Sequence, residues 1–157
     1  MKIAFLLDKS GSMHPQVDDV VGSFNAYVKE QDPETELSLW TFSNDLKCVF
    51  SEQVSNVKPI TSDDYKPSGG TALYDAMGEV LKGLASGDRL IVLTDGQENS
   101  SKRYTKQHVK DLISLSGVTV VYAGADLEDA KELGVHHMIA YDGSGTCDTM
   151  TQIHHSV

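Results

Sequence analysis

The sequence predicts an α/β protein with a doubly wound, mostly parallel central sheet, one antiparallel edge strand and helices on both faces. Short apolar stretches alternate along the chain with longer amphipathic stretches, which is typical of strands that alternate with helices. Residues 2–7 are apolar almost throughout and 88–94 form a second apolar run, as expected for central strands covered on both faces. The link between the strand-like stretches 36–42 and 46–50 is so short that the pair must form an antiparallel hairpin.

The first half of the chain contains two predicted helices. The first follows the opening strand and ends before Pro33. Its apolar residues recur at helical spacing: Val17, Val20, Val21, Phe24, Tyr27 and Val28. Residues 51–70 have the composition of a loop. A second helix begins at Leu73, and its apolar face consists of Met77, Val80, Leu81 and Leu84.

The second half continues the alternation of strands and helices. Thr105 and Gly117 mark the N-cap and the stop of a third helix. The stretches that follow are predicted, in order, as a strand (118–124), a short helix (126–134) and a last strand (136–142). Residues 142–157 are expected to be flexible or to form a short final helix, and residues 1–157 to be a single domain.

Charge and composition exclude several classes of partner. The 157 residues include 13 Lys and Arg against 23 Asp and Glu, a net charge of −10, which argues against nucleic acid or an anionic membrane as a ligand. No apolar stretch is long enough to span a bilayer, and the first residues lack the features of a signal peptide. The two cysteines, Cys48 and Cys147, offer no disulfide framework. We therefore expect a soluble, cytoplasmic protein that is a monomer on its own.

Five oxygen-bearing side chains are expected to converge at one edge of the sheet. Asp8, Ser10 and Ser12 follow the first strand, Asp95 follows the strand 88–94, and Thr71 precedes the second helix. Open α/β sheets bind ligands at the carboxyl ends of their strands, where the topology changes direction. A set that contains only oxygen suits Mg²⁺, Mn²⁺ or Ca²⁺ and does not suit zinc.

These residues stand in three motifs, DKSGSM at 8–13, GGT at 69–71 and LTDG at 93–96. Together they resemble the complete metal-ion-dependent adhesion site of von Willebrand factor type A domains, and the likeness extends over residues 1–142. The resemblance implies that Ser10 and Ser12 coordinate the cation directly and that Thr71 does so when a ligand is bound. Asp8 and Asp95 would act through water and through hydrogen bonds to the serines.

The same resemblance implies a non-enzymatic module that binds proteins. Mg²⁺ at such a site, with Mn²⁺ or Ca²⁺ as possible substitutes, would bind a Glu or Asp side chain of a protein partner. Residues near the predicted cation are candidates for the rim that contacts this partner: His14, Tyr74, Gln97, Glu98 and Asn99. Family members usually end in a full amphipathic helix, which in this sequence is short or missing.

Two alternatives remain open at the level of sequence. Mg²⁺-dependent phosphatases of similar topology also place an Asp at the end of the first strand, but they need a second Asp where this chain has Ser10, and a serine does not transfer protons near neutral pH. The second alternative is a structural scaffold whose metal site is not used. Against it, Asp8 and Asp95 would repel each other unless a positive charge lay between them.

Overall fold

The computed structural model describes residues 1–95, 98–125, 127–141, 150, 152 and 153. The strands are β1 (Lys2–Asp8), β2 (Glu36–Phe42), β3 (Leu46–Gln53), β4 (Arg89–Leu93), β5 (Thr119–Gly124) and β6 (His137–Ala140). The α-helices are α1 (Val17–Lys29), α2 (Leu73–Lys82), α3 (Lys106–Ser116) and α4 (Leu127–Leu133). Short 3-10 turns span Gly11–Gln16, Val54–Asn56 and Ser62–Asp64.

The strands form one six-stranded sheet in the order β3, β2, β1, β4, β5, β6. Among the strand pairs of the described residues, only β2–β3 is antiparallel, and β3 lies at an edge. The predicted fold class is therefore confirmed. The chain moves from β1 outward to β2 and later returns to place β4 on the other side of β1, so the topology switches between β1 and β4. The carboxyl ends of these two strands lie side by side, and Leu7 of β1 pairs with Leu93 of β4.

The core has two layers, one on each face of the sheet. Alternate residues of β1 supply both of them, with Phe5 in the layer under α1 and Leu6 in the layer under α2 and α3. The Phe5 ring packs edge-on against Phe24 and Tyr27 of α1, with ring centroids 5.2 and 5.3 Å apart. Because both faces of β1 are buried, its sequence shows no polar alternation.

Both ends of α3 are set by residues that can be recognised in the sequence. The Thr105 hydroxyl accepts a hydrogen bond from the backbone N–H of His108 at 3.2 Å, as an N-cap should. Gly117 adopts a left-handed conformation with φ of 71°, which ends the helix at little steric cost. Both predictions are confirmed.

Other boundaries differ from the sequence prediction. Strand β3 continues to Gln53 because the long strand β2 extends back to Glu36 and pairs with it there. Met150, Gln152 and Ile153 are helical, and Met150 and Ile153 are buried in the layer under α1. The remaining predictions for 142–157, including Cys147, lie outside the described residues. None of the helices in the described part of the chain combines the length and apolar character needed to cross a bilayer.

Gly78 in the middle of α2 supports a close contact that the sequence pattern does not reveal. A Cβ atom built on Gly78 would lie only 2.3 to 2.5 Å from three carbons of the Tyr104 ring. We expect Gly78→Ala to lower the free energy of unfolding by about 1–2 kcal/mol, since overpacking outweighs the gain of about 1 kcal/mol in helix propensity. Urea denaturation monitored by circular dichroism measures this loss.

The matched control is Gly22→Ala in α1. Nothing lies within 4 Å of a Cβ atom at Gly22, so this variant should gain about 0.5–1 kcal/mol of stability from helix propensity alone. Equal effects of the two substitutions would contradict the packing role of Gly78.

Candidate metal centre

Asp8 is held in place at the end of β1. Its side chain is 0% exposed. Its Oδ1 atom accepts a hydrogen bond from the backbone N–H of Ser10 at 2.6 Å, and its Oδ2 atom accepts one from the Thr94 hydroxyl at 2.5 Å. The carboxylate is therefore fixed in orientation by one partner in the turn that follows β1 and one at the end of β4.

The two serines continue this arrangement toward the loop that follows β4. The hydroxyl oxygens of Ser10 and Ser12 lie 3.1 Å apart. The Ser12 hydroxyl donates a hydrogen bond to Oδ1 of Asp95 at 2.8 Å. Four of the five residues that the sequence proposed as one site, Asp8, Ser10, Ser12 and Asp95, are thus linked by direct hydrogen bonds.

Hydrogen bonds of Thr71 itself and of the nearby Gly69 place Thr71 at the same edge of the sheet. The backbone N–H of Gly11, between the two serines, donates to the carbonyl of Gly69 at 3.1 Å. On its other side Thr71 is bonded to Asn99, which belongs to the segment that carries Asp95. Thr71 is only 4% exposed. The described residues of the three motifs therefore lie at the same edge of the sheet, and their role as metal ligands stays a prediction.

The glycines of the GGT motif are required by the close approach of three loops. Gly69 has φ of 82°, a conformation that L-residues rarely adopt, and a Cβ atom there would lie 2.4 Å from the Asn44 side chain. A Cβ atom at Gly70 would lie 2.5 Å from the Ser100 hydroxyl. A larger residue at position 69 would strain the backbone, and one at position 70 would displace the neighbouring side chains.

The electrostatics of this cluster favour a cation. Burial raises the pKa of Asp8, hydrogen bonds from Thr94 and Ser10 oppose the rise, and the negative charge of Asp95 adds to it. Among the described residues, no Lys, Arg or His forms an ion pair with either carboxylate. Two carboxylates that repel each other in a partly buried site are stabilised by a positive ion between or beside them.

The donor set also fits the coordination chemistry of a hard cation. Adjacent ligands of an octahedral Mg²⁺ ion with bonds of about 2.1 Å are about 3.0 Å apart, and the two serine oxygens are separated by 3.1 Å. The described part of the chain contains no group of three or more His, Cys, Asp or Glu side chains arranged to hold a metal. A cation at this edge would therefore depend on hydroxyl ligands supported by the two carboxylates.

Sequence reasoning missed two residues that support Asp8. The Tyr65 side chain is completely buried and its hydroxyl donates to the backbone carbonyl of Asp8. Burial, reinforced by the charge of Asp8, raises the pKa of Tyr65, so the phenol remains a donor. Thr94 had a usable signal, since it is a hydroxyl residue directly before Asp95 at the end of a central strand. Tyr65 lies in a loop-like stretch and had none.

The predicted rim residues occupy different environments. His14 is exposed in the 3-10 turn after Ser12. Tyr74 is half-buried, and its hydroxyl contacts both carboxylate oxygens of Asp129 at 2.8 and 2.9 Å. Asp129 in turn forms an ion pair with Lys106 at 2.8 Å. Tyr74 thus joins the first turn of α2 to α3 and α4.

The other three rim residues lie in the segment after Asp95. Gln97 lies outside the described residues. The Glu98 carboxylate accepts a hydrogen bond from the N–H of Tyr74 in the first turn of α2, and the Asn99 side chain accepts one from the N–H of Thr71, just before that helix. A role of any rim residue in contacting a partner protein stays a prediction.

Comparisons with known proteins identify the family and the fold of this chain. The family description of the von Willebrand factor type A domain matches residues 2–151. No protein with a curated function matches the chain. The ArnB paralog VWA2 from Sulfolobus acidocaldarius is a similar solved structure, with 20% identity, a TM-score of 0.71, and coverage of 97% of this chain and 44% of that one.

Two bacterial structures are also similar. BatB from Bacteroides thetaiotaomicron has 15% identity and a TM-score of 0.65, and the match covers 98% of this chain and 97% of BatB. The PilB minor pilin from Streptococcus sanguinis has 12% identity and a TM-score of 0.76, with 98% and 60% covered. At these identities the likeness shows the fold alone. The family match over residues 2–151 goes further: this chain belongs to the von Willebrand factor type A family, whose domains generally serve as protein-interaction modules.

Proposed function

We propose that this domain binds protein ligands through a divalent cation, Mg²⁺ in the first place, that accepts a Glu or Asp side chain of the partner. Ser10, Ser12 and Thr71 would hold the ion directly, and Asp8 and Asp95 would support them. The observation that carries the proposal is the series of hydrogen bonds that links the buried Asp8 through Ser10 and Ser12 to Asp95. Among the described residues, no cationic side chain forms an ion pair with either carboxylate. Mn²⁺ and Ca²⁺ share the preference for oxygen ligands.

In this proposal the two carboxylates supply negative charge and orient the serines, and the serine hydroxyls coordinate the cation. Asp8 orients the serine turn by accepting from the Ser10 N–H, and Asp95 orients the Ser12 hydroxyl. The serine hydroxyls are neutral, so they present lone pairs without cancelling the charge of an ion. A bound divalent cation supplies an exchangeable position that a carboxylate can occupy. Because the hydroxyl ligands leave the charge of the cation in place, an acidic side chain of a partner is favoured as the ligand that completes the coordination shell.

Binding is a better proposal than phosphoryl transfer. A phosphatase of similar topology needs an acid or base two positions after its first Asp, and the side chain at that position is the buried Ser10. Phosphoryl transfer also calls for a cationic side chain that stabilises the transferring group. Among the described residues no Lys or Arg is paired with Asp8, Asp95 or the serines.

Isothermal titration calorimetry tests the proposal directly. Protein stripped with EDTA is titrated with Mg²⁺, Mn²⁺ and Ca²⁺, in the presence and absence of glutarate as a simple carboxylate ligand. We expect one cation per chain, and glutarate binding only when the cation is present. Ser10→Ala should weaken cation binding by about 10-fold or more, because it removes one direct ligand.

Ser55→Ala is the matched control, since Ser55 is exposed and belongs to none of the three motifs. Its affinity for each cation should equal that of the wild type. The proposal fails if the wild type binds no cation with or without glutarate, or if Ser10→Ala binds as tightly as Ser55→Ala.

A further inference from the structure

Helix α2, which starts two residues after Thr71, is capped by a distant segment. Its N-cap residue is Ala72, which has no side chain able to accept a hydrogen bond. The free N–H groups of the first turn are bonded instead by residues of the segment that follows Asp95. The N–H of Tyr74 donates to Oε1 of Glu98 at 3.0 Å, and the N–H of Asp75 donates to the Ser101 hydroxyl at 2.9 Å.

The helix holds that segment in return. The Asp75 carboxylate accepts hydrogen bonds from three consecutive backbone N–H groups, those of residues 102, 103 and 104, at 2.9, 2.9 and 2.8 Å. The second carboxylate oxygen of Glu98 accepts from the N–H of Ser101 at 2.9 Å. The two segments therefore fix each other through side chains on both sides.

Asn99 connects Thr71 to these two mutually bonded segments. The Asn99 side-chain oxygen accepts from the N–H of Thr71 at 2.9 Å, and the N–H of Asn99 donates to the carbonyl of Thr71 at 3.0 Å. Both main-chain polar groups of Thr71 are thus bonded to one residue. Thr71 cannot shift without breaking these two bonds or moving residue 99 with it. We refer to Thr71, Tyr74, Asp75, Glu98, Asn99 and Ser101 together as the clamp.

We infer that Asn99 is a positioning residue of the cation site, which fixes the main chain of Thr71 through hydrogen bonds to both its N–H and its carbonyl group. Asp95 lies four residues before Asn99 in the same segment. The serine turn is joined to the neighbouring loops by three hydrogen bonds, which link Ser68 to Lys9, Gly11 to Gly69 and Ser12 to Asp95. The inference rests on the proposed function of the same site.

Asn99 is neutral and holds Thr71 in position, so its effect on cation affinity can be measured separately from the effect of the charged residues. Asn99 carries no charge, so its loss leaves the net charge of the site unchanged, and we expect it to act on cation affinity through the position of Thr71. Asn99→Asp keeps an oxygen at the same place to accept from the Thr71 N–H, and its added negative charge does not oppose a cation. Asn99→Ala removes the acceptor and leaves the Thr71 N–H without its partner.

A double-mutant cycle between Asn99 and Thr71 tests the inference. Mn²⁺ affinity is measured by calorimetry for the wild type, Asn99→Ala, Thr71→Ala, the double variant and Asn99→Asp, with Asn56→Ala as an exposed control of the same residue type. We expect Asn99→Ala to weaken Mn²⁺ binding by about 10-fold, as loss of a supporting residue around a metal typically does. In the Thr71→Ala background the same change should cost less than about 2-fold. Asn56→Ala should bind as the wild type does, and Asn99→Asp should bind at least as tightly, because its added negative charge attracts a cation.

Hydrogen exchange adds a readout that does not depend on the metal. In EDTA, the Thr71 amide should exchange at least about 10-fold faster in Asn99→Ala than in the wild type. Unchanged Mn²⁺ affinity in Asn99→Ala, equal weakening in both backgrounds, or loss of binding in Asn99→Asp would each overturn the inference. A wild type that binds no Mn²⁺ overturns the proposed function itself, and the inference with it.

Discussion

Asp8→Asn should lower divalent-cation affinity by about 100-fold while the fold is retained. Asp8 is buried and orients the serine turn through the Ser10 N–H. The asparagine side chain keeps the size and one acceptor oxygen, so the turn can remain in place. The variant removes half of the negative charge contributed by Asp8 and Asp95. Calorimetric titration with Mn²⁺ measures the loss.

The same substitution should leave the metal-free protein as stable as the wild type or more stable. Burial and the charge of Asp95 both raise the pKa of Asp8, which means that the ionised carboxylate is disfavoured where it lies. A neutral amide avoids that cost. Urea denaturation in EDTA measures the difference, with the exposed Asp63→Asn as a control for a change of charge elsewhere. Unfolding of Asp8→Asn, or wild-type affinity for Mn²⁺, would contradict this role.

Asp75→Asn should lower the free energy of unfolding at pH 7 by about 2 kcal/mol, the scale of hydrogen bonds to a charged group. Partial burial by itself would raise the pKa of Asp75. The three backbone N–H donors of residues 102–104 and the nearby Arg103 charge outweigh burial, so its pKa is lowered. A carboxylate with a lowered pKa in the folded state contributes stability above its unfolded pKa of about 3.9 and loses it as the pH falls through the folded value.

The difference in stability between the wild type and Asp75→Asn should therefore be constant from about pH 7 to pH 5 and shrink below about pH 4. Urea denaturation at pH 7, 5 and 3.5 measures it, and Asp63→Asn serves again as the exposed control. A difference that grows as the pH falls would have the wrong sign for a carboxylate stabilised in its charged form. No difference at pH 7 would show that the three N–H groups do not depend on the carboxylate.

The sequence predicts the fold well because its local signals and its hydrophobic pattern agree. The apolar stretch of β1 lies at the centre of the sheet, and the short link after Phe42 forms the edge hairpin. Thr105 and Gly117 delimit α3 through interactions within a few residues. The hairpin and the helix ends depend on neighbours in the chain, and the central place of β1 shows in its unbroken apolar run, so all of them can be predicted from the sequence.

The clamp was not predicted because it depends on contacts between segments. Glu98 and Asn99 belong to a short polar stretch that resembles any exposed loop, and nothing local shows that their side chains cap a helix that starts at residue 73. One signal was present: α2 begins after Ala72, which cannot cap it, so its first N–H groups needed partners from elsewhere. The Tyr65 hydroxyl, bonded to the Asp8 carbonyl, had no comparable signal.

A crystal structure of the protein grown with Mn²⁺, with anomalous diffraction measured at the manganese edge, tests the central claim most directly. We expect one anomalous peak at the carboxyl ends of β1 and β4, at about 2.1–2.2 Å from the hydroxyl oxygens of Ser10 and Ser12. A map with no peak there at millimolar Mn²⁺, or with its only peak on other side chains, would contradict the assignment of this cluster as the cation site.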